Sequence, residues 1–476
     1  MQRRFRLLAL PLAAMLLAPL GLSPAAADSG ALRPNATTAV SWLVKQTNAD
    51  GTLSSTGTEP DLGLTLDAAL AGMAGGASRA TINSWIDAAG KSFKNVSQDK
   101  GRVAKALVTL AAAGRSTTSY GGVNPQQIIR SSVTASGHIE GTLPFGQAFG
   151  MIGLARTGEL PTSTVGFVAG QQCASGAFSR VFDDKSCAAP DPDSTAMMIM
   201  ALRAAEAKGI AAANAPRTKA VNWLKAQQKP SGAFTGDPQY TPTQNTNSSG
   251  IAAAALADLE TAFVTKAGMW VSGLQVKSGA DAGAVAYNAE TMQAANGVVS
   301  RVGKGQWVRA TTQAVLAFAP IDFFRIIPRF ERTAPYTLAG NHDLNGRKWR
   351  TTCEPYSKTE RCRTEIWATT VVKENGRFVR KDGWTFNNLT YLPYMTESSW
   401  TGNPLASHNM DPGFTSGGRQ WRTECHTPNT GKGACRAYLF STVYAASPRA
   451  GGGYSFAQED KWVFNNIVMF GSPAWR

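Results

Sequence analysis

Two rhythms of apolar residues divide this chain. From about Ala36 to Pro320, alanine and leucine recur at helical spacing, broken by Gly, Pro and Asn. Two kinds of helix alternate there. One carries a large residue and often ends in Gln before a glycine turn: Trp42 with Gln46 and Gly51, Gln172 with Gly176, Trp223 with Gln228 and Gly232, Trp270 with Gln275 and Gly279. The other has small residues on most faces: Leu66 to Met73, Val103 to Ala113, Gln147 to Ala155, Ser194 to Ala205, Ser248 to Leu259 and Glu290 to Ala295. Small residues let neighbours approach on several sides, as an inner helix requires. Alternating outer and inner helices predict about six helical hairpins stacked into one core, and six pairs favour a closed ring over an open solenoid.

Residues 321–336 leave the alanine-rich pattern and read as a linker. Beyond them the period falls to two, in a composition of Trp, Tyr, Thr, Arg and Asn, which predicts strands. This part reads as a tandem repeat. Gly346-Arg347-Lys348-Trp349-Arg350-Thr351-Thr352-Cys353 is matched by Gly418-Arg419-Gln420-Trp421-Arg422-Thr423-Glu424-Cys425, and Trp384-Thr385-Phe386-Asn387-Asn388 by Trp462-Val463-Phe464-Asn465-Asn466. The copies span about 337–402 and 403–476. The Phe-Asn-Asn segments read as turn closers rather than sugar ligands.

Residues 1–27 have the charged start, apolar run and small-residue end (Ala25-Ala26-Ala27) of a signal peptide, followed by a short N-terminal segment at 28–35. No later stretch is apolar enough to span a bilayer, so the expected mature chain is secreted, and the cell wall is one place it could stay. Six cysteines fall as local pairs, and with export this predicts three disulfides: Cys173–Cys187, Cys353–Cys362 and Cys425–Cys435. No metal site is expected, because no pair has further ligands at tetrahedral spacing. A formal charge of +15 points to polyanionic envelope polymers and, given export, away from nucleic acid.

The recurrent Trp-Leu, Gln-Gln and Gly-x-Phe elements, followed by Asp191-Pro192-Asp193-Ser194-Thr195-Ala196 before an apolar helix, resemble the prenyltransferase/squalene oxidase repeat. That resemblance covers roughly residues 36–320. It implies an α/α toroid like those of terpenoid cyclases, protein prenyltransferases, cobalamin carriers and complement thioester domains. The whole chain then reads as a multidomain α and β protein: the toroid, then a small disulfide-stapled β domain.

The Asp-x-Asp segment resembles the acid motif of class II terpenoid cyclases, which implies Asp193 as the proton donor with Asp191 beside it. Ser194 stands where that motif has a further Asp, and the inner helices carry Ala, Met, Thr and Ser where a cyclase would place aromatics. The competing reading makes Asp191, Asp193 and Ser194 a helix cap. Asn247-Ser248-Ser249-Gly250 occupies the equivalent place one repeat later, and Asn caps but is no acid. The prenyltransferase zinc ligands and the thioester Cys-Gly-Glu-Gln are missing. A cobalamin or other small-ligand carrier stays open, and His138, His342, His408 and His426 read as surface or loop histidines rather than cobalt ligands.

These features lead to the expectation of an exported, non-enzymatic binding protein. The toroid would be a platform for a ligand or partner. The basic β domain would bind an envelope polymer or surface protein through Arg347, Arg350, Arg419 and Arg422, with no cofactor unless cobalamin itself is the ligand. A cyclase-type enzyme using Asp193 is the alternative.

Overall fold

The structure, a computed structural model, describes residues 29–471 apart from 58, 185, 301–302 and 431–432. The expected signal peptide lies outside the described residues. The chain forms two compact units that divide between residues 328 and 329.

The helices of the first unit are α1 (Arg33–Lys45), α2 (Leu62–Gly75), α3 (Arg79–Gly90), α4 (Lys100–Ala113), α5 (Pro125–Ser131), α6 (Pro144–Thr157) and α7 (Ser163–Gln171). They continue as α8 (Pro192–Ala207), α9 (Asn214–Ala226), α10 (Thr246–Leu256), α11 (Thr261–Ser272), α12 (Ala289–Ala295) and α13 (Lys304–Phe318). Helices α2, α4, α6, α8, α10 and α13 pack each on the next, and α13 returns to α2, so these inner helices close a ring. Their composition permits burial all round. In α8 every residue from Ser194 to Ala205 is buried, whereas α3 buries only the stripe Ile82, Trp85, Ile86, Ala88 and Ala89. At Gly250 a Cβ would stand 2.1 Å from the Gln313 carbonyl oxygen, so α10 and α13 touch backbone to backbone there.

The sixth inner helix departs from the expectation. Glu290 to Ala295, inside α12, has no buried residue, and α13 takes the place in the ring. Helical spacing alone does not distinguish a buried turn from an exposed one.

The Gln–Gly pairs have a mechanical role. Gln172 Nε2 donates to the Gly176 carbonyl at 2.9 Å and to the Pro216 carbonyl on α9 at 2.8 Å. Gln228 does the same with Gly232 and with Phe263 on α11. Gln275 donates to the Asn35 carbonyl at 2.9 Å, which ties the last outer helix to the first. Gly176 and Gly232 sit at φ +98° and +96°, and a Cβ on either would come within 2.5 Å of a carbonyl oxygen of the next outer helix. In the Gln275 copy this duty falls to Gly283 (2.1 Å from the Thr38 carbonyl oxygen), while the expected Gly279 touches nothing.

Ile321 to Phe324 belong to the helical unit. Phe323 is buried and stacks on Phe149 of α6 at 5.5 Å. Asp322, 1% exposed, pairs with Arg203 of α8 at 3.3 Å, and Arg203 also donates to the Ala255 and Ala257 carbonyls at the end of α10. The chain therefore seals the ring at the C-terminal ends of the inner helices.

The second unit is one eight-stranded sheet. Its strands are β1 (Gly340–Leu344), β2 (Arg347–Tyr356), β3 (Thr359–Glu374), β4 (Arg377–Tyr391), β5 (Asn409–Ser416), β6 (Arg419–Cys425), β7 (Ala434–Pro448) and β8 (Tyr454–Met469). Their order is β1-β2-β3-β4-β8-β7-β6-β5, two antiparallel meanders joined by the parallel pair β4–β8. Cys353 and Cys362 face each other across β2 and β3, Cys425 and Cys435 across β6 and β7, and both pairs are bonded. Each disulfide sits in a small apolar cluster, the first with Leu392 and Tyr394, the second with Tyr391, Met395, Trp400 and Val468. Covalent staples suit cores of this size. The Phe-Asn-Asn segments do not close turns: they lie inside β4 and β8, and Asn388 and Asn466 are buried. Among the described residues no helix is long and apolar enough to cross a membrane.

Candidate active site

Five inner helices begin with one device. A side chain in the first two turns accepts the N–H of the loop before the helix: Thr65 from Leu53, Gln147 from Ile139, Thr195 from Phe178, Ser249 from Phe234 and Thr311 from Val285, all at 2.7 to 2.9 Å. In α2, α8 and α10 an Asp or Asn four residues earlier caps the helix (Asp61, Asp191, Asn245). Val103 holds the matching place in α4, four residues after the cap Asp99.

These anchors set a register. Two residues before them stand Gly63, Gly101, Phe145, Asp193, Asn247 and Arg309, and all six line a cleft at the N-terminal ends of the inner helices. Two residues after them stand Asp67, Lys105, Phe149, Met197, Ile251 and Gln313, and these line the narrow space beneath. The cleft has two compartments of about 510 and 500 Å³ that share Phe145, Arg309 and Gln313. The space below is about 50 Å³.

Asp191 and Asp193 divide the work that the cap reading gave to both. Asp191 accepts from the N–H groups of Asp193 and Ser194 at 3.1 and 3.0 Å and from the Ser194 hydroxyl at 2.5 Å. Burial pushes its carboxyl up, and the three donors only partly offset that. Asp193 caps nothing. Its Oδ2 accepts from the Ser248 hydroxyl of α10 at 3.0 Å, and its Oδ1 is covered without a protein partner. Burial first, then the neighbouring Asp191 charge and, more weakly, Asp237 push Asp193 up to about 8, against the pull of Ser248. Burial and the two acidic neighbours all favour the protonated form of Asp193.

The surroundings keep the acid in place. Gly236 lies against it, and a Cβ there would stand 2.6 Å from Oδ2. Asp237 is buried, accepts the Gln239 and Tyr240 N–H groups and pairs with Arg180 at 3.3 Å. The Tyr287 phenol, on the same compartment, is pushed up by burial and then by Asp193.

Across the ring Asp61 has the opposite character. Burial would raise it, but the Leu64 N–H, the Ser55 hydroxyl, Arg309 and Lys105 outweigh that and hold it below the ordinary carboxylate range. Arg309 stands 3.7 Å from its Oδ2. Deeper in, Lys105 pairs with Asp67 at 2.8 Å. The cleft therefore contains two carboxyls pushed in opposite directions, Asp193 up and Asp61 down.

Cys173 and Cys187 are bonded, and the loop they close leads into Asp191. Arg350 and Arg422 are engaged within the sheet. Arg350 pairs with Glu365 at 2.5 Å and lies over Trp384 at 4.8 Å, and Arg422 lies over Trp462 at 4.4 Å. Arg347 and Arg419 are exposed at strand starts. The four histidines have internal neighbours: His138 stacks on Phe167, His342 bonds the Leu338 carbonyl, His408 accepts the Cys425 N–H and His426 meets Glu397. Among the described residues no three His, Cys, Asp or Glu side chains gather as metal ligands. The cyclase reading fails on the lining. A cation-stabilising cavity needs aromatic walls, and here amides, hydroxyls and charged groups surround Asp193, with Phe145 and Tyr287 the aromatics of its compartment. Sequence reasoning missed Asp61, Ser248, Tyr287 and Arg309. The period of the repeat could have found Arg309, two residues before Thr311.

No family model and no curated protein matches the chain. It is similar in fold to solved structures at low identity. A structure titled "Glycosidase Wild Type" is 10% identical, with 63% of this chain and 98% of that one covered at a TM-score of 0.40. An unsaturated glucuronyl hydrolase from Bacillus sp. GL1 is 11% identical, with coverage of 59% and 95% and a TM-score of 0.38. Haptocorrin in complex with Cbi is 12% identical, with coverage of 92% and 97% and a TM-score of 0.35. The expectation of a non-enzymatic binding protein, and the leaning against an enzyme, are corrected here. What the cleft holds is a carboxyl whose proton affinity is raised by burial and by its acidic neighbours, set among amides and hydroxyls.

Proposed function

We propose that the helical unit is a glycosidase-type hydrolase with Asp193 as its general acid. The observation that carries this is a carboxyl on the wall of an open cleft lined by amides and hydroxyls, held by Ser248, with one oxygen covered and unpartnered and its proton affinity raised by burial and acidic neighbours. Cleaving a glycosidic bond requires a proton on the departing oxygen as the bond breaks, and an acid with its pKa near the working pH delivers it best. Asn247, Gln306, Gln313 and Tyr287 offer the hydrogen bonds a polyol takes, and Phe145 offers a ring face between the two compartments. In this reading Asp191 works through Asp193: its fixed negative charge keeps the proton on the neighbour. Ser248 and Gly236 position the acid.

Two finer structural readings accompany the proposal. The ring is taken as six outer–inner hairpins of the prenyltransferase/squalene oxidase type, and the two meanders of the sheet as tandem copies. Three disulfides fit an oxidising compartment, and we take the chain to be secreted.

The test is hydrolysis by the full mature chain of a panel of neutral and uronic-acid oligosaccharides, with product reducing ends as readout. Asp193→Asn is expected to lower the rate about 100- to 10,000-fold, the usual span for a lost acid. An inactive wild type across the panel, or an Asp193→Asn variant as fast as wild type, would sink the proposal.

A further inference from the structure

We infer that Asp61 is the base that works with Asp193, taking a proton from the attacking water on the opposite side of the cleft; this rests on the general-acid reading of Asp193. In the cycle α2–α4–α6–α8–α10–α13, α2 and α8 are three steps apart in either direction, so their N-terminal turns face each other across the mouth. Asp61 caps α2 and Asp193 rides on the first turn of α8. Their compartments meet at Phe145, Arg309 and Gln313.

The groups around the two carboxyls oppose each other. Asp61 faces Arg309 from α13 and Lys105 from α4, both cations, with Asp67 paired to Lys105 behind it. Asp193 faces Asp191 and Asp237 and, among the described residues, no cation close enough to pair. One site can therefore accept a proton while the other gives one. In the step, the anomeric C–O bond breaks and its oxygen takes the Asp193 proton. The water oxygen bonds to the anomeric carbon, and its proton passes to Asp61. Exchange with solvent then restores both carboxyls. A single displacement of this kind inverts the anomeric centre.

Asp61 also accepts the Leu64 N–H at 2.9 Å, so a purely structural role has to be separated from a chemical one. Asn caps a helix about as well as Asp. Asp61→Asn therefore keeps the cap and removes the base. We expect a melting temperature close to wild type, a rate at least 100-fold lower, partial rescue by azide with formation of a glycosyl azide, and inverted product in the wild type by proton NMR. An active wild type whose Asp61→Asn variant keeps its rate within a few-fold, or whose product retains configuration, overturns the role of Asp61 and leaves Asp193 standing. A wild type inactive on every oligosaccharide removes both.

Discussion

Helices α8 and α10 start with the same cap-and-anchor device and part in the chemistry of the residue between. Each has a capping side chain, Asp191 or Asn245, and an anchor four residues on, Thr195 or Ser249, that holds the preceding loop. Between them stand Asp193 in α8 and Asn247 in α10. Cap and anchor meet the structural demands, so the residue between them is free for chemistry. Both side chains have a covered, unpartnered Oδ1, yet only the Asp can hold and release a proton. The same place is Gly in α2 and α4, Phe in α6 and Arg in α13, which turns a repeated scaffold into an asymmetric cleft.

The comparison can be broken first at the far ends of the two helices, where Arg203 of α8 clasps the end of α10. Asp322→Ala would leave that buried guanidinium without its carboxylate and should cost about 3–5 kcal/mol in urea unfolding. A loss below about 1 kcal/mol would mean the clasp does not join the helices. The anchors come next. Thr195→Val and Ser249→Ala each strand a buried loop N–H, and about 1–3 kcal/mol is expected for each. If one site proves neutral, the shared device is not shared.

A third test uses pH. Asp193 binds its proton more tightly folded (about 8) than unfolded, from the ordinary 3.8, so the folded state holds the extra proton between those values. Stability should be greatest at the acid end of that window and fall as pH rises through it. Asp193→Asn should flatten the slope, whereas Asn247→Ala should leave it; parallel curves for wild type and Asp193→Asn would contradict the assignment. The smallest effect separates charge from cap. Asp191→Asn keeps the cap within a few tenths of a kcal/mol but removes the nearest negative charge. The basic limb of the pH–rate profile should then move to lower pH, and a limb that stays put would show that Asp191 does not hold the proton on Asp193.

Much of the helical unit was legible in the sequence, because its devices are local. The Gln–Gly clip joins residues four apart and the cap–anchor pair spans one turn, so both recur as spellings. Five of the six inner helices could be read from small residues at helical spacing. The sixth could not, because α12 has a helical pattern but no buried residue, and α13 carries a larger Trp307 and Val308 into the ring. The strands and their disulfides were legible from period two and from cysteine spacing. The parallel β4–β8 pair was not, since pairing Leu389 with Asn466 depends on two distant segments meeting.

The sequence by itself determined the ring-forming composition, the three disulfide pairs and the place of an acidic pair at the head of one inner helix. Only the tertiary structure decided the surroundings of that pair. A cap and an acid are spelled with the same aspartates, and the difference lies in surroundings drawn from other repeats. Ser248 comes from α10, Gly236 and Asp237 from the loop before it, and Arg309 with Asp61 from across the ring. Protonation is set by burial and by the charges brought near, and closing the ring is what brings them near.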